Sequence, residues 1–135
     1  MIQTKRVLVV DDDKMLRSMI ERFLAVNYYE VVAVSDGTDG LRAVLKEDFD
    51  FIICDMVMPK LPGNLFYLSV KKMKPHLCSR FIFITGHACN PKINDFIKQV
   101  KGTVLLKPFQ MDDLLEAVTF VQVKTPSDRN KTSKV

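Results

Sequence analysis

Residues 6–13 read RVLVVDDD: four apolar residues, Val7 to Val10, and then three successive carboxylates, Asp11, Asp12 and Asp13. A short unbroken apolar run fits a strand covered on both faces, as in a parallel sheet. In such sheets ligands sit beyond the carboxyl ends of the strands. The acids therefore stand where a parallel α/β protein keeps its site. A helix cap accounts for one of them, not for three. Crowded like charges are costly, and a bound cation would account for the crowding.

The same unit recurs along the chain. Residues 14–26 carry Met15, Leu16, Met19, Ile20, Phe23 and Leu24 at helical spacing. Residues 29–34 (YEVVAV) read as a second strand, Ser35-Asp36-Gly37 as a turn, and 38–47 as a short helix with Leu41, Val44 and Leu45 on one face. A third strand, 49–54, ends at Asp55. A loop rich in proline and glycine (56–64) precedes a helix over 65–73, with Leu65, Phe66, Val70 and Met73 as core contacts. Strand 81–85 (FIFIT), helix 91–100, strand 103–106 and helix 111–123 complete five βα units, with Gly102 ending the fourth helix. Short connections and right-handed crossovers predict an α/β fold, a doubly wound five-stranded parallel sheet with five helices.

At 135 residues the chain is long enough for one domain with a real core. It has no apolar run near the ~18 residues of a membrane span, and MIQTKR is not a signal peptide. Three cysteines, Cys54, Cys78 and Cys89, with no CxxC pair point to a reducing compartment, hence the cytoplasm. Lys124, Arg129, Lys131 and Lys134 against Asp128 give residues 124–135 a net +3 of the formal +4. The rest of the chain is near neutral, which argues against a nucleic-acid surface. Residues 124–135 read as a polar basic tail or linker stub. No glycine-rich loop follows the first strand, so the usual phosphate-cradling fingerprint is absent.

Strand ends carry the chemistry. The first gives Asp11, Asp12 and Asp13; the third Asp55; the fourth Thr85, with Gly86 and His87 after it; the fifth Lys107. Several oxygen ligands suit Mg2+. A lysine and a hydroxyl beside such an ion offer the charge and the donor that a phosphoryl group needs. The lone carboxylate Asp55 can then act as nucleophile, since aspartate forms acyl phosphates when its surroundings offset the incoming charge.

These residues, with VLVVDDD at 7–13, Asp36-Gly37, FIICDMVMPKLPG at 51–63, FITGHA at 83–88 and LLKPF at 105–109, resemble the receiver domain of two-component response regulators. Each segment is short, but the ordered set spans about residues 5–123. The resemblance implies a flavodoxin-like, chemotaxis-regulator-like strand order of 2-1-3-4-5. It implies that Asp55 accepts a phosphoryl group from a sensor histidine kinase or a histidine phosphotransfer domain. Asp12 would be a direct Mg2+ ligand, Asp11 would hold the ion mainly through water, and Asp55 and the backbone carbonyl of Val57 would complete the protein ligands; Mn2+ is a substitute ion. Thr85 and Lys107 would each bind a phosphoryl oxygen, and a cis peptide would precede Pro108. Asp13 has no comparable role and starts the first helix.

Receivers of this kind usually carry an aromatic residue three positions before the lysine. Here that position is Val104, which puts the aromatic part of the switch in question. Val57 and His87, two residues beyond Asp55 and Thr85, occupy positions that tune loss of the phosphoryl group. The expected activity is a signalling domain that takes up and loses its own phosphoryl group, rather than a turnover enzyme. It would switch the binding of a downstream output domain or protein, acting free-standing or as part of a longer regulator. Self-association through the fourth helix, fifth strand and fifth helix is open to it. The alternatives are a non-phosphorylated, receiver-like docking module and, less readily, an aspartyl-phosphate phosphohydrolase. No nucleic acid or membrane is expected to bind this chain directly.

Overall fold

Alternation along the opening strand organises the molecule. In the computed structural model, which describes residues 4–86 and 89–124, Arg6–Val10 forms β1. Val7 and Val9 face one side and Leu8 and Val10 the other, all four fully buried. The elements that follow are α1 (Lys14–Val26), β2 (Glu30–Val34), α2 (Gly37–Lys46), β3 (Phe51–Asp55) and α3 (Gly63–Met73). Then come a 3-10 helix over Pro75–Arg80, β4 (Phe81–Thr85), α4 (Pro91–Val100), β5 (Thr103–Leu106) and α5 (Met111–Lys124). All five strands are parallel, in the order β2-β1-β3-β4-β5.

Two cores flank the sheet. Val7, Val9, Ile53, Ile82 and Ile84 meet Ile20 and Leu24 of α1 and Leu114, Val118 and Val121 of α5. Leu8, Val10, Ile52 and Phe83 meet Val44 of α2 and Phe66, Tyr67 and Val70 of α3. Each such buried side chain contributes roughly 1.5–3 kcal/mol, so both faces must be covered, and no strand can show the polar alternation of a half-exposed sheet. On the second face, aromatic rings pack edge to face: Phe96 of α4 lies 5.5 Å from Tyr67 and 5.6 Å from Phe83.

Helices 14–26 and 91–100 and strands 81–85 and 103–106 fall where the sequence puts them. Several contacts do not. The buried stripe of α3 is Gly63, Phe66, Tyr67 and Val70, an i, i+3, i+4, i+7 set; Leu65 and Met73 lie outside it and are exposed. Met15 and Met19 of α1 and Leu45 of α2 are likewise exposed, because the sheet covers a narrower stripe than hydropathy alone marks. A 3-10 helix fills residues 75–80, where the sequence pattern gives no element, and α3 begins at Gly63 rather than two residues later. The left-handed residue closing α4 is Lys101 (φ 54°), not Gly102. Gly102 answers to packing instead, since a Cβ there would fall 2.7 Å from the Phe83 ring.

α1 ends on a second strained residue. Tyr28 has φ 70° and an exposed ring, while the Tyr29 N–H closes the turn on the Leu24 carbonyl at 3.0 Å. A left-handed conformation costs a Cβ-bearing residue roughly 1–2 kcal/mol, which glycine avoids. Tyr28→Gly is therefore expected to stabilise the protein by about 0.5–1 kcal/mol in urea unfolding, with an unchanged slope.

Candidate functional site

Strand register builds the site. Val10 lies opposite Cys54, Asp55 opposite Ile84, and Thr85 opposite Leu106. One edge of the sheet therefore receives Asp11 just past β1, Asp55 and Thr85 as the last residues of β3 and β4, and Lys107 just past β5. One carboxylate oxygen from each of Asp11, Asp12 and Asp55 lies within 4.8 Å of the others. Asp11, Asp55 and Thr85 are buried, and Asp12 is exposed.

The hydrogen bonds leave this group short of positive partners. Asp11 Oδ1 accepts the Asp13 N–H at 2.9 Å, but its buried Oδ2 has no hydrogen-bond partner among the described residues. Burial pushes the Asp11 carboxyl up to about 6; the Asp13 N–H opposes this, the Asp55 charge adds to it, and the Lys107 charge opposes it. Asp55 Oδ1 accepts the Val57 N–H at 3.1 Å, and Oδ2 accepts the Lys107 ammonium at 3.2 Å. Burial works against the charge on Lys107, yet the Asp55 and Asp11 carboxylates outweigh it and raise its pKa. The Lys107 N–H also donates to the Thr85 carbonyl at 2.9 Å, which ties the ends of β4 and β5 together, and the Lys107–Pro108 peptide is cis.

The sequence-expected residues other than His87 have definite places. Asp11, Asp12, Asp55, Thr85 and Lys107 share the one edge. Val57 stands at its rim with a half-exposed side chain. Asp13 caps α1, accepting the Leu16 N–H at 3.1 Å. Val104 lies on β5 opposite Phe83, away from the carboxylates. His87 and residues 125–135 fall outside the described residues.

Two contributors escaped the sequence reading. Gly63 lets α3 start directly under the site: a Cβ there would lie 2.6 Å from the Asp55 carbonyl oxygen and 2.8 Å from the Met56 Cα. In the sequence this glycine reads as a helix breaker and as the end of the 51–63 segment; in the fold its position eight residues after Asp55 closes the 56–62 loop. Arg17, on the apparently polar face of α1, reaches back to the Asp11 carbonyl at 2.8 Å. On the far side of the loop, Asp36 caps α2 by accepting the Asp39 N–H at 2.8 Å and pairs with Lys60 at 3.5 Å.

A buried carboxylate oxygen with no partner, amid three converging acids, fits a hard, oxygen-liganded dication such as Mg2+. Soft or nitrogen-preferring metals would call for cysteine or histidine, and Cys54 turns its thiol to the Asp55 carbonyl at 3.2 Å.

Fold and site together are those of a receiver. The family model described as "Response regulator receiver domain" matches residues 7–119, and the chain belongs to that family. It is 26% identical over 130 residues to the transcriptional regulatory protein RprY of Bacteroides fragilis, covering 96% of this chain and 54% of that protein. The chain thus spans about half of that relative's length. Among solved structures it is similar to the chemotaxis response regulator CheY4 of Vibrio cholerae, with a TM-score of 0.79, 30% identity, and coverage of 88% of this chain and 99% of that one. It is also similar to the response regulator TrrA of Thermotoga maritima, solved in complex with Mg2+-BeF. That match has a TM-score of 0.77, 25% identity, and coverage of 87% of this chain and 99% of that one. Among the described residues no helix is long and apolar enough to cross a membrane.

Removing the Asp11 charge should relieve the metal-free protein. A carboxyl whose folded-state pKa is raised contributes stability that falls as pH climbs from its unfolded value near 3.8 towards about 6. Asp11→Asn is expected to unfold at a higher temperature than wild type in chelator at pH 7, by several degrees. That advantage should shrink as the pH is lowered to about 4. Thermal scans across this range check it.

Proposed function

We propose that this receiver accepts a phosphoryl group on Asp55 from the phosphohistidine of a sensor histidine kinase or a histidine phosphotransfer domain. The observation that carries this reading is the pairing of Lys107 with Asp55 Oδ2 beside a buried Asp11 Oδ2 that no described residue hydrogen-bonds. Asp11, Asp12, Asp55 and the Val57 carbonyl would hold Mg2+, or Mn2+ in its place. The ion would offset charge on the carboxylates and on the incoming group.

A carboxylate oxygen of Asp55 attacks phosphorus, the P–N bond to the donor imidazole breaks, and the imidazole leaves with a proton from solvent. The product is an acyl phosphate. Lys107 shifts from the carboxylate to a phosphoryl oxygen, and the Thr85 hydroxyl donates to another. These two moves pull on the ends of β4 and β5, which the bond from Lys107 to the Thr85 carbonyl already joins. The strain passes to α4, which has no fully buried residue and rests on half-buried Ile93, Phe96 and Val100. Two packings of that face would then differ in their affinity for an output domain or protein, or for a second copy through α4, β5 and α5. Residues 1–123 form the receiver in this reading, and 124–135 a polar extension.

Val57 sets the lifetime of the acyl phosphate together with His87. Valine can exclude the attacking water but cannot orient it.

Incubation with acetyl phosphate and Mg2+ should add one phosphoryl group to the intact protein, mapped to Asp55 by mass spectrometry and abolished in Asp55→Asn. Persistent absence of the adduct would favour a docking module instead. Val57→Asn, which supplies a group able to orient water, is expected to shorten the acyl-phosphate lifetime severalfold; an unchanged lifetime would remove Val57 from the account.

A further inference from the structure

Arg17 does something that its place on the outer face of a helix does not require. β1 ends at Val10, and the chain then leaves the sheet to enter α1 at Lys14. The Asp11 N–H is still held, by the Val34 carbonyl of β2 at 3.2 Å. The Asp11 carbonyl has left the ladder, and it is taken by the Arg17 guanidinium at 2.8 Å across six residues. The Arg17 backbone N–H meanwhile donates to the Asp13 carbonyl at 2.9 Å. One residue thus grips the Asp11–Asp13 segment at both ends, by its side chain and by its main chain.

Asp12 lies between those two grips. It is exposed, and among the described residues no hydrogen bond or ion pair holds its carboxylate. Its position beside Asp11 and Asp55 is therefore set by its backbone. A buried or half-buried carbonyl left without a donor would turn towards another partner, and the Asp12 carboxylate would turn with it. A planar guanidinium suits this task, because its donors are fixed in direction and it keeps its charge at all working pH.

We propose that Arg17 is a positioning residue for the cation site, holding the backbone that aims the Asp12 carboxylate at the ion. This rests on the reading of Asp11, Asp12 and Asp55 as an Mg2+ site. Arg17 does not touch the ion or the phosphoryl group. Its effect runs through the Asp11 carbonyl.

The sign of its effect separates this role from simple electrostatics. Arg17 is a positive charge next to a cation site, so by Coulomb's law alone its removal should tighten Mg2+ binding. If it positions Asp12, its removal should loosen binding. Arg17→Lys keeps the charge but replaces the rigid fork with a flexible single ammonium. On charge alone it changes nothing; on positioning it weakens binding.

The test is calorimetric titration of the unphosphorylated full chain with MgCl2, at constant ionic strength, for wild type, Arg17→Ala and Arg17→Lys. Amide chemical shifts of residues 11–13 serve as a second readout. The expected result is Mg2+ affinity lowered about tenfold or more in Arg17→Ala and by a smaller factor in Arg17→Lys. Altered amide shifts of Asp12 and Asp13 before any metal is added should accompany it. Tighter or unchanged binding in Arg17→Ala overturns the proposal, as does wild-type affinity in Arg17→Lys. Should the alanine variant fail to fold, the lysine variant alone decides. Absence of Mg2+ binding in the wild type would instead refute the cation site, and this role for Arg17 with it.

Discussion

The structure depends on three acids being brought to one sheet edge that a single lysine, Lys107, faces with opposite charge. β1 and β3 are neighbours with Val10 level with Cys54, so Asp11 and Asp55 cannot avoid each other once the sheet forms. The sheet in turn is compelled by burial on both faces, a driving term far larger than the local repulsion. Lys107 relieves part of the charge at 3.2 Å from Asp55, and the amides of Val57 and Asp13 relieve a little more. No described residue hydrogen-bonds the buried Asp11 Oδ2. The hydrophobic effect thus holds the acids together against their own repulsion.

Much of this was legible in the chain because it depends on order along strands. Unbroken apolar runs announce covered strands, and the residue after each run must emerge at the same edge of a parallel sheet. That logic reaches Asp11, Asp55, Thr85 and Lys107 with no coordinates. The strand order places all four at that one edge.

What stayed hidden depends on proximity between segments. Gly63 looks like a helix breaker until the Asp55 carbonyl is seen within 2.6 Å of its missing Cβ. Arg17 looks like a solvent-facing charge until its guanidinium is seen on the Asp11 carbonyl. Met15 and Met19 sit on the apolar stripe of their helix and Leu65 and Met73 read as core contacts, but hydropathy cannot tell how wide a stripe the neighbouring layer covers. The place of Val104 carries a related lesson. The aromatic packing beneath α4 comes from Tyr67, Phe83 and Phe96, on three different elements, and only the fold brings them together.

The central claim is that the crowded carboxylates are a cation site rather than a tolerated cluster. The thermal midpoint of the wild-type protein near pH 8, with chelator and with millimolar Mg2+, tests it most directly. A ligand that binds only the folded state raises stability by mass action. The midpoint is expected several degrees higher with Mg2+, with no such rise in Asp11→Asn. A wild-type midpoint that Mg2+ leaves unmoved would contradict it.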